Sequence, residues 1–248
     1  MIFTNNAPKT WKELQDRVAS LLCRAGYNAM SSYKIDTVRG AVEIDVFVES
    51  PDPLIKTIIC ECKYWNTRVS QEKVHAFQTV ISNTGASLGL MISKSGFQSG
   101  AIEAAKFSNV KLVTWEEFTY LICEKWITNM LIKIKKDVIP LREYTNELHF
   151  PFEKLGEREK KAYLNLCNKY NDLKITCCLI SKEDLLKQEF FSTLFYGINE
   201  FDSIEEYLVF LEKEIGLAVK DFEKMLECTN IVIPQERFEK RDSYTFMF

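Results

Sequence analysis

Histidine is nearly absent from this chain, which has only His75 and His149 among its 248 residues. Two histidines are too few for a histidine-rich metal cluster, and they make a histidine-dependent nucleophilic triad hard to build. The eight cysteines form no CxxC pair, so the usual spacing of a zinc site is missing as well. We therefore expect the cysteines to be buried free thiols in a reducing compartment.

Long apolar runs are also missing. No stretch reaches the roughly 20 apolar residues that a membrane-spanning helix needs. The opening segment, MIFTNNAPKTWKEL, lacks the basic-then-apolar order of a secretory signal. These absences predict a cytoplasmic protein without a membrane partner.

The charge of −3 is distributed unevenly along the chain. Residues 1–118 carry 13 basic and 12 acidic side chains, whereas residues 119–248 carry 19 basic and 23 acidic ones. A slightly basic first half permits a nucleic-acid site there without requiring one, and the acidic second half disfavours direct contact with nucleic acid.

The hydrophobic periodicity of the first half alternates between the helical and the extended repeat. Strands and helices that alternate in this way predict an α/β fold, with a mixed sheet flanked by helices. We expect residues 41–49 and 54–64 to pair as antiparallel strands. The predicted elements are a helix over 10–26, strands near 29–33 and over 41–49 and 54–64, a helix over 70–83, a strand over 88–93, a helix over 99–108 and a strand over 110–114.

Beyond about residue 116 the periodicity becomes mostly helical. We predict a domain of residues 1–118, followed by a mostly α-helical accessory region of residues 119–248, with the boundary between 118 and 140. The accessory region carries no recognisable motif, and a dimerisation arm, a docking module for a partner protein and a sensor all remain open for it. Its predicted elements are helices over 116–136, 153–172, 181–195, 202–213 and 216–228, and short strands or packed ends at 230–234 and 244–248.

Charged residues interrupt two of the most apolar strands, AVEIDVFVE and IICECKYW. Side chains alternate between the two faces of a strand, so Glu43 and Asp45 share one face of the first strand, and Glu61 and Lys63 share one face of the next. Pairing of the two strands then brings three carboxylates and an ammonium together. A carboxylate buried without a partner costs several kcal/mol, so such a cluster must be internally paired or bind a cation.

Carboxylate oxygens suit Mg²⁺, and Mn²⁺ is expected to substitute for it. A lysine beside the metal can orient an attacking water and offset charge that develops on a phosphate. The spacing therefore favours metal-assisted phosphodiester hydrolysis. The alternative is a solvated strand face with an ordinary salt bridge, and Glu43 fits an exposed strand residue better than a ligand.

The order Asp45, Glu61, Lys63 resembles the Asp…Glu-x-Lys motif of the PD-(D/E)xK nuclease superfamily, and its flanks resemble the Mrr-type restriction endonuclease domain. The similar segments include WKELQDRVASLLCRAGY, AVEIDVFVE, IICECKYW and SKSGFQSGAIEAAKFSNVKLVTWEEF, which together span about residues 10–118. The proline that names the motif is missing, because AVEI precedes Asp45.

The resemblance implies a role for each matching residue. Asp45 and Glu61 would bind the metal, and Lys63 would position or polarise the water and support the charge of the transition state. Glu13 on the first helix would complete the site, with a helix-capping bond to Thr10 as its equally good alternative. Gln78 would face the cleft, with an ordinary surface position as its alternative.

Six further residues are candidates for contact with nucleic acid. Those that follow the motif could touch a backbone or stack on a base, and those in the SKSGFQSG loop could meet a phosphate. Packing and a glycine turn are the alternatives. The six are Tyr64, Trp65, Arg68, Lys94, Ser95 and Gln98.

The resulting prediction is a Mg²⁺-dependent endonuclease that cuts DNA in restriction of foreign DNA or in defence against phages. We expect a homodimer or higher oligomer, because cutting both strands needs two sites, and a regulatory or defence partner bound through residues 119–248. A repair or branched-DNA nuclease and a catalytically silent binding module remain as alternatives.

Overall fold

The computed structural model describes residues 2–37, 40–187, 195–229, 231–234 and 236–239. The chain forms two compact units. One unit is Asn6–Asn129, and the other is Met1–Asn5 together with Met130–Phe248. The division falls inside a long helix, and each unit is described separately below.

The first unit is built on a five-stranded mixed sheet with the strand order β1-β2-β3-β4-β5. The first three strands are antiparallel, and β3, β4 and β5 run parallel. The mixed sheet and the antiparallel pairing of β2 with β3 confirm the sequence prediction. The strands are β1 Asn28–Thr37, β2 Gly40–Glu49, β3 Thr57–Lys63, β4 Leu88–Ser93 and β5 Val110–Thr114.

Helices cover the sheet because each presents an apolar stripe to it. α1 (Trp11–Arg24) begins after Thr10, whose side chain accepts a hydrogen bond from the Glu13 amide, as expected of an N-cap. α2 (Gln71–Thr84) lies so close to β4 that a Cβ atom at Gly89 would be 2.8 Å from Cγ1 of Ile81. Only glycine fits there. α3 (Ser99–Ala105) and α4 (Trp115–Asp137) follow.

The regular elements described in the second unit are helical. Phe222 is fully buried, and its ring packs against Tyr144, Tyr163 and Tyr170 at centroid distances of 5.5, 6.2 and 6.5 Å. This aromatic cluster supplies a core for the unit. Besides the end of α4, its helices are α5 Ile139–Tyr144, α6 Glu157–Leu179, α7 Lys182–Lys187, α8 Ile204–Glu227 and α9 Glu236–Glu239.

The structure corrects two element boundaries. The helices predicted over 202–213 and 216–228 are one helix, α8, because its stripe of buried residues continues across Gly216 and outweighs the cost of about 1 kcal/mol of a helical glycine. The short strand predicted near 29–33 is the ten-residue β1, because pairing with β2 extends it through polar residues.

The sequence did not predict α5, and it placed α6 over 153–172, β3 over 54–64 and the end of α3 at 108, which differ from the observed bounds by a few residues. Residues 231–234 contain no strand, whereas residue 230, the segment 188–194 and the predicted 244–248 element lie outside the described residues. Within the described part of the chain, no helix combines the length and apolar composition that crossing a membrane requires.

Candidate active site on strands β2 and β3

Asp45 lies where the sheet is irregular. In the β1–β2 ladder, the pairs Ser31–Val46 and Tyr33–Ile44 are formed, but the pair between them, Ser32 with Asp45, is not. Ser32 has a φ of 53°, which is rare for a residue other than glycine. On the other side, the β2–β3 ladder ends at Val46 and Cys60. β3 therefore separates from β2 next to Asp45, whereas β1 skips a single pair there and then continues its pairing with β2.

Two groups from different elements hold the Asp45 carboxylate. Oδ1 accepts a hydrogen bond from Nε2 of Gln15 at 2.5 Å, and Oδ2 accepts one from the backbone amide of Cys62 at 2.7 Å. The first bond ties β2 to α1, and the second ties it to β3. Because each carboxylate oxygen has a second acceptor direction, Asp45 can still bind a cation while it keeps both bonds.

Glu61 and Lys63 form a hydrogen-bonded ion pair through Oε1 and Nζ, with 26% and 19% of their side chains exposed. Burial raises the pKa of Glu61, and the nearby Asp45 charge raises it further, while Lys63 opposes both effects. Because the negative charges of Asp45 and Glu61 repel each other, a positive charge close to both of them is favourable. The structure thus brings Asp45, Glu61 and Lys63 into one group.

Gln15 adds an oxygen to this group. Its Oε1 atom is buried and has no hydrogen-bond partner among the described residues, although its Nε2 binds Asp45. Buried polar atoms nearly always have partners, so this oxygen, which belongs to the amide that binds Asp45, is available to a cation or a water. Two carboxylates and an amide oxygen suit a hard cation such as Mg²⁺, which keeps several waters of its own. The described residues contain no group of three or more His, Cys, Asp and Glu side chains that could hold a metal, so water and substrate oxygens would complete the shell.

The first helix contributes Gln15 to the cluster, whereas the sequence indicated Glu13. The Glu13 side chain accepts a hydrogen bond from the Lys9 amide at 2.7 Å, and its own amide donates to Thr10 Oγ1 at 3.1 Å. Glu13 therefore makes the capping contacts that the sequence left open as its alternative. Gln15 could have been found from its place beside Leu14 and Val18 on the buried face of α1, where a polar residue needs a reason.

Gln78 and Glu43 are not brought to the cluster. The Gln78 amide donates to the Ala104 carbonyl at 2.8 Å, and its oxygen lies 3.1 Å from Nδ1 of His75, so it ties α2 to α3. Glu43 is exposed on β2, as its alternative interpretation held.

Several of the candidate nucleic-acid contacts form a rim directly after Lys63. The Lys63 ammonium lies 5.1 Å from the ring centroid of Trp65, which is 39% exposed. The Lys94 ammonium lies 4.4 Å from the ring centroid of Tyr64. Ser95 Oγ donates to the Trp65 carbonyl at 2.6 Å, which joins the two loops. We call Tyr64, Trp65, Lys94 and Ser95 the aromatic–basic rim.

The other two candidates for contact with nucleic acid, Arg68 and Gln98, are close to the rim residues in sequence. Arg68 is exposed. Gln98 is the N-cap residue of α3 and makes no side-chain capping bond there. Its backbone amide donates a hydrogen bond to the Val69 carbonyl at 3.0 Å. Neither residue has a described contact with Asp45, Glu61 or Lys63.

Replacing Gln15 with leucine should reduce DNA cleavage without reducing the free energy of unfolding. Leucine retains most of the volume and removes the buried oxygen without a partner, so the free energy of unfolding should stay the same or rise slightly. Asp45 loses the hydrogen-bond donor that orients it. We therefore expect the affinity for a divalent cation and the rate of DNA cleavage to fall by roughly 10–100-fold. Calorimetry, a cleavage assay and urea unfolding measure the three quantities. Gln71→Leu, at an exposed position of α2, is the matched control, and unchanged cleavage in Gln15→Leu would reduce Gln15 to a packing residue.

Comparison with known proteins agrees with this arrangement in the first half of the chain. Residues 8–122 match the Mrr catalytic family, described as restriction endonuclease. No curated protein matches the sequence. A crystal structure of a protein of unknown function, AF1548, superposes on 89% of this chain and 100% of its own with 12% identity and a TM-score of 0.41, a level that carries no conclusion about activity. The match at residues 8–122 confirms the resemblance stated for residues 10–118, which is to the Mrr-type restriction endonuclease domain within the PD-(D/E)xK nuclease superfamily.

Proposed function

We propose that the protein is a metal-dependent endonuclease that hydrolyses phosphodiester bonds of DNA at the Asp45–Glu61–Lys63 cluster. The observation that carries the proposal is the convergence of two carboxylates, a lysine and a buried amide oxygen without a partner at the point where β2 and β3 separate. Such a set suits a cation and a phosphate better than it suits a structural salt bridge, which would leave no buried oxygen unpaired.

Each residue of the cluster has a distinct task in this proposal. Asp45, Glu61 and the Gln15 oxygen would hold Mg²⁺ or Mn²⁺, and a bound divalent cation supplies charge stabilisation to a phosphate and acidifies water. The Cys62 amide and the Gln15 amide fix the orientation of Asp45. Lys63 would orient the attacking water and offset charge on the phosphate.

The aromatic–basic rim would hold the nucleic acid next to this cluster. Trp65 is partly exposed and stands beside the Lys63 ammonium, so a base stacked on it would place the adjoining phosphate near the cluster. Lys94 and the exposed Arg68 would contact the backbone, and Ser95 and Gln98 would support the loop that carries Lys94.

Trp65→Ala should weaken DNA binding by roughly tenfold, because stacking of one base on an aromatic ring contributes about 1–3 kcal/mol. Fluorescence anisotropy with single-stranded and double-stranded oligonucleotides in EDTA measures binding without cleavage. Tyr120→Ala is the matched control, since Tyr120 is 85% exposed on α4 and outside the rim. Equal weakening in the two variants, or none in Trp65→Ala, would remove Trp65 from the interface.

Restriction of foreign DNA or defence against phages is the proposed role, supported by the restriction endonuclease family of residues 8–122. A homodimer or higher oligomer is proposed for cutting both strands. The proposed division of labour assigns catalysis to residues 1–118 and regulation or partner binding to residues 119–248.

The decisive test is a cleavage assay on supercoiled plasmid and on single-stranded DNA with Mg²⁺, with Mn²⁺ and with EDTA. Nicking or cutting that needs the divalent cation supports the proposal. If the folded protein cuts neither substrate, and calorimetry finds no Mg²⁺ or Mn²⁺ binding that depends on Asp45 and Glu61, the first half is a binding module.

A further inference from the structure

The second unit contains two cavities that the proposed nuclease chemistry does not use. The larger cavity has a volume of about 620 Å³ and lies between α6 and the segment that follows α5. The smaller one, of about 330 Å³, lies between α5 and the end of α6. Thr145 and Lys174 line both, so the two cavities share part of their walls. The larger volume is in the range of roughly 300–1,000 Å³ that holds small molecules in proteins.

One end of this double cavity is cationic. Arg142 and Lys174 line the smaller cavity, and no carboxylate does so among the described residues. Lys174 is half-buried, and its described hydrogen bond goes to the neutral Thr145 Oγ1 at 3.3 Å. Burial raises the pKa of the Cys178 thiol in this cavity, but Arg142, Lys174 and Lys135 all act to lower it. The electrostatic potential at this end is therefore positive, and a partly desolvated cation pair attracts an anion strongly.

The other end is aromatic and carries amide groups. Tyr163 is buried behind the wall of the larger cavity, where it stacks on Phe150 with a centroid distance of 4.2 Å. Phe152 is partly exposed, and its ring lies 5.6 Å from the Tyr163 ring and 5.6 Å from the Lys160 ammonium. Asn168 and Asn171 of α6 line the same wall, at the helical spacing that puts them on one face with Lys174. Glu147 lines this end too, which disfavours an anion there.

From this arrangement we propose that the second unit binds a small ligand of the nucleotide class, with its phosphate at Arg142 and Lys174 and its base at Phe152. A flat ring packs against aromatic side chains, and asparagine amides can both donate to and accept from the edge of a base. Charge-assisted hydrogen bonds from Lys and Arg suit a phosphate. The separation of cationic and aromatic ends matches a molecule that has a charged end and a flat end.

A docked protein segment is the competing occupant, since Leu164, Ile175 and Leu179 of α6 are exposed and line the cavities. A bound apolar segment would remove Lys174 and Arg142 from water without supplying a negative charge to pair with them. The cations therefore favour the anionic small molecule.

Isothermal titration calorimetry on the full chain in EDTA tests the proposal. The probes are the four ribonucleoside monophosphates and diphosphates, with the matched nucleosides and inorganic phosphate as controls. We expect at least one nucleotide to bind more tightly than both its nucleoside and phosphate. Lys174→Met keeps the volume and should weaken that nucleotide by roughly tenfold or more, while the nucleoside is unaffected. Phe152→Leu should weaken nucleotide and nucleoside alike.

Lys161→Met is the matched control, because Lys161 is exposed on the same helix and lies outside both cavities. Arg142→Met repeats the charge test if Lys174→Met unfolds more easily in a thermal scan. The proposal is overturned if no probe binds, if phosphate binds as tightly as every nucleotide, or if nucleotide binding survives both charge variants unchanged.

Discussion

Lys63→Ala should reduce DNA cleavage by about 10²–10⁴-fold, the range typical of a group that stabilises charge or transfers a proton in the transition state. The substitution removes the ammonium that pairs with Glu61 and that lies beside Trp65. It also removes the positive charge that lowers the pKa of Glu61. Without it, the Glu61 carboxyl should hold its proton more strongly and bind a metal ion less tightly. Single-turnover cleavage of supercoiled plasmid in Mg²⁺ gives the rate.

Two further variants separate these effects. Lys63→Arg keeps the positive charge beside Glu61, so metal binding should survive, but the planar guanidinium cannot replace the compact ammonium and cleavage should stay low. Lys111→Ala, on the exposed side of β5, is the matched control and should cut at the rate of the unmodified protein. Cleavage at a normal rate in Lys63→Ala would place the active site elsewhere.

Divalent cations should stabilise the protein, and the stabilisation should grow as the pH rises. The pKa of Glu61 is raised in the folded state, so the unfolded chain releases this proton first and the stability of the metal-free protein falls as the pH rises through the raised value. A cation bound between Asp45 and Glu61 removes that penalty. Saturation at roughly a hundred times the dissociation constant should add about 2.7 kcal/mol to the free energy of unfolding.

Urea unfolding at about pH 5 and about pH 8, with Mg²⁺ and with EDTA, measures both the stabilisation and its pH dependence. Glu61→Gln cannot ionise, so its metal-free stability should lack this decline, and Mg²⁺ should stabilise it little at either pH. Glu103→Gln, at an exposed position of α3 paired with Lys106, is the control and should behave as the unmodified protein does. The same Mg²⁺ effect in Glu61→Gln would show that the cation binds at another place.

The sequence by itself determined the parts of the fold that depend on local pattern. Extended patterning predicted β2 and β5 closely, a continuous apolar run predicted β4, and helical spacing predicted α1, α2 and α4. These patterns are local, because the direction of a side chain within a strand or helix depends only on its position in the repeat. The same logic predicted that Asp45, Glu61 and Lys63 come together, since it needed only the pairing of two strands that are neighbours in sequence.

The tertiary structure alone decided which side chain of α1 completes the cluster. The family resemblance implied Glu13, with a helix-capping role as its equally good alternative. In the structure, packing of α1 against the sheet directs Gln15 to Asp45, and Glu13 makes the capping contacts. The continuity of α8 across Gly216 and the ten-residue length of β1 were decided in the same way, by burial and strand pairing that outweigh local propensity.

The double cavity in the second unit shows the same dependence most clearly. Arg142 and Lys174 are far apart in sequence and belong to different helices, α5 and α6, and each by itself reads as an ordinary surface cation. Their side chains acquire a common role only when the two helices pack. Local pattern fixes the direction of a side chain within its own element, but the groups that it meets are fixed by long-range packing.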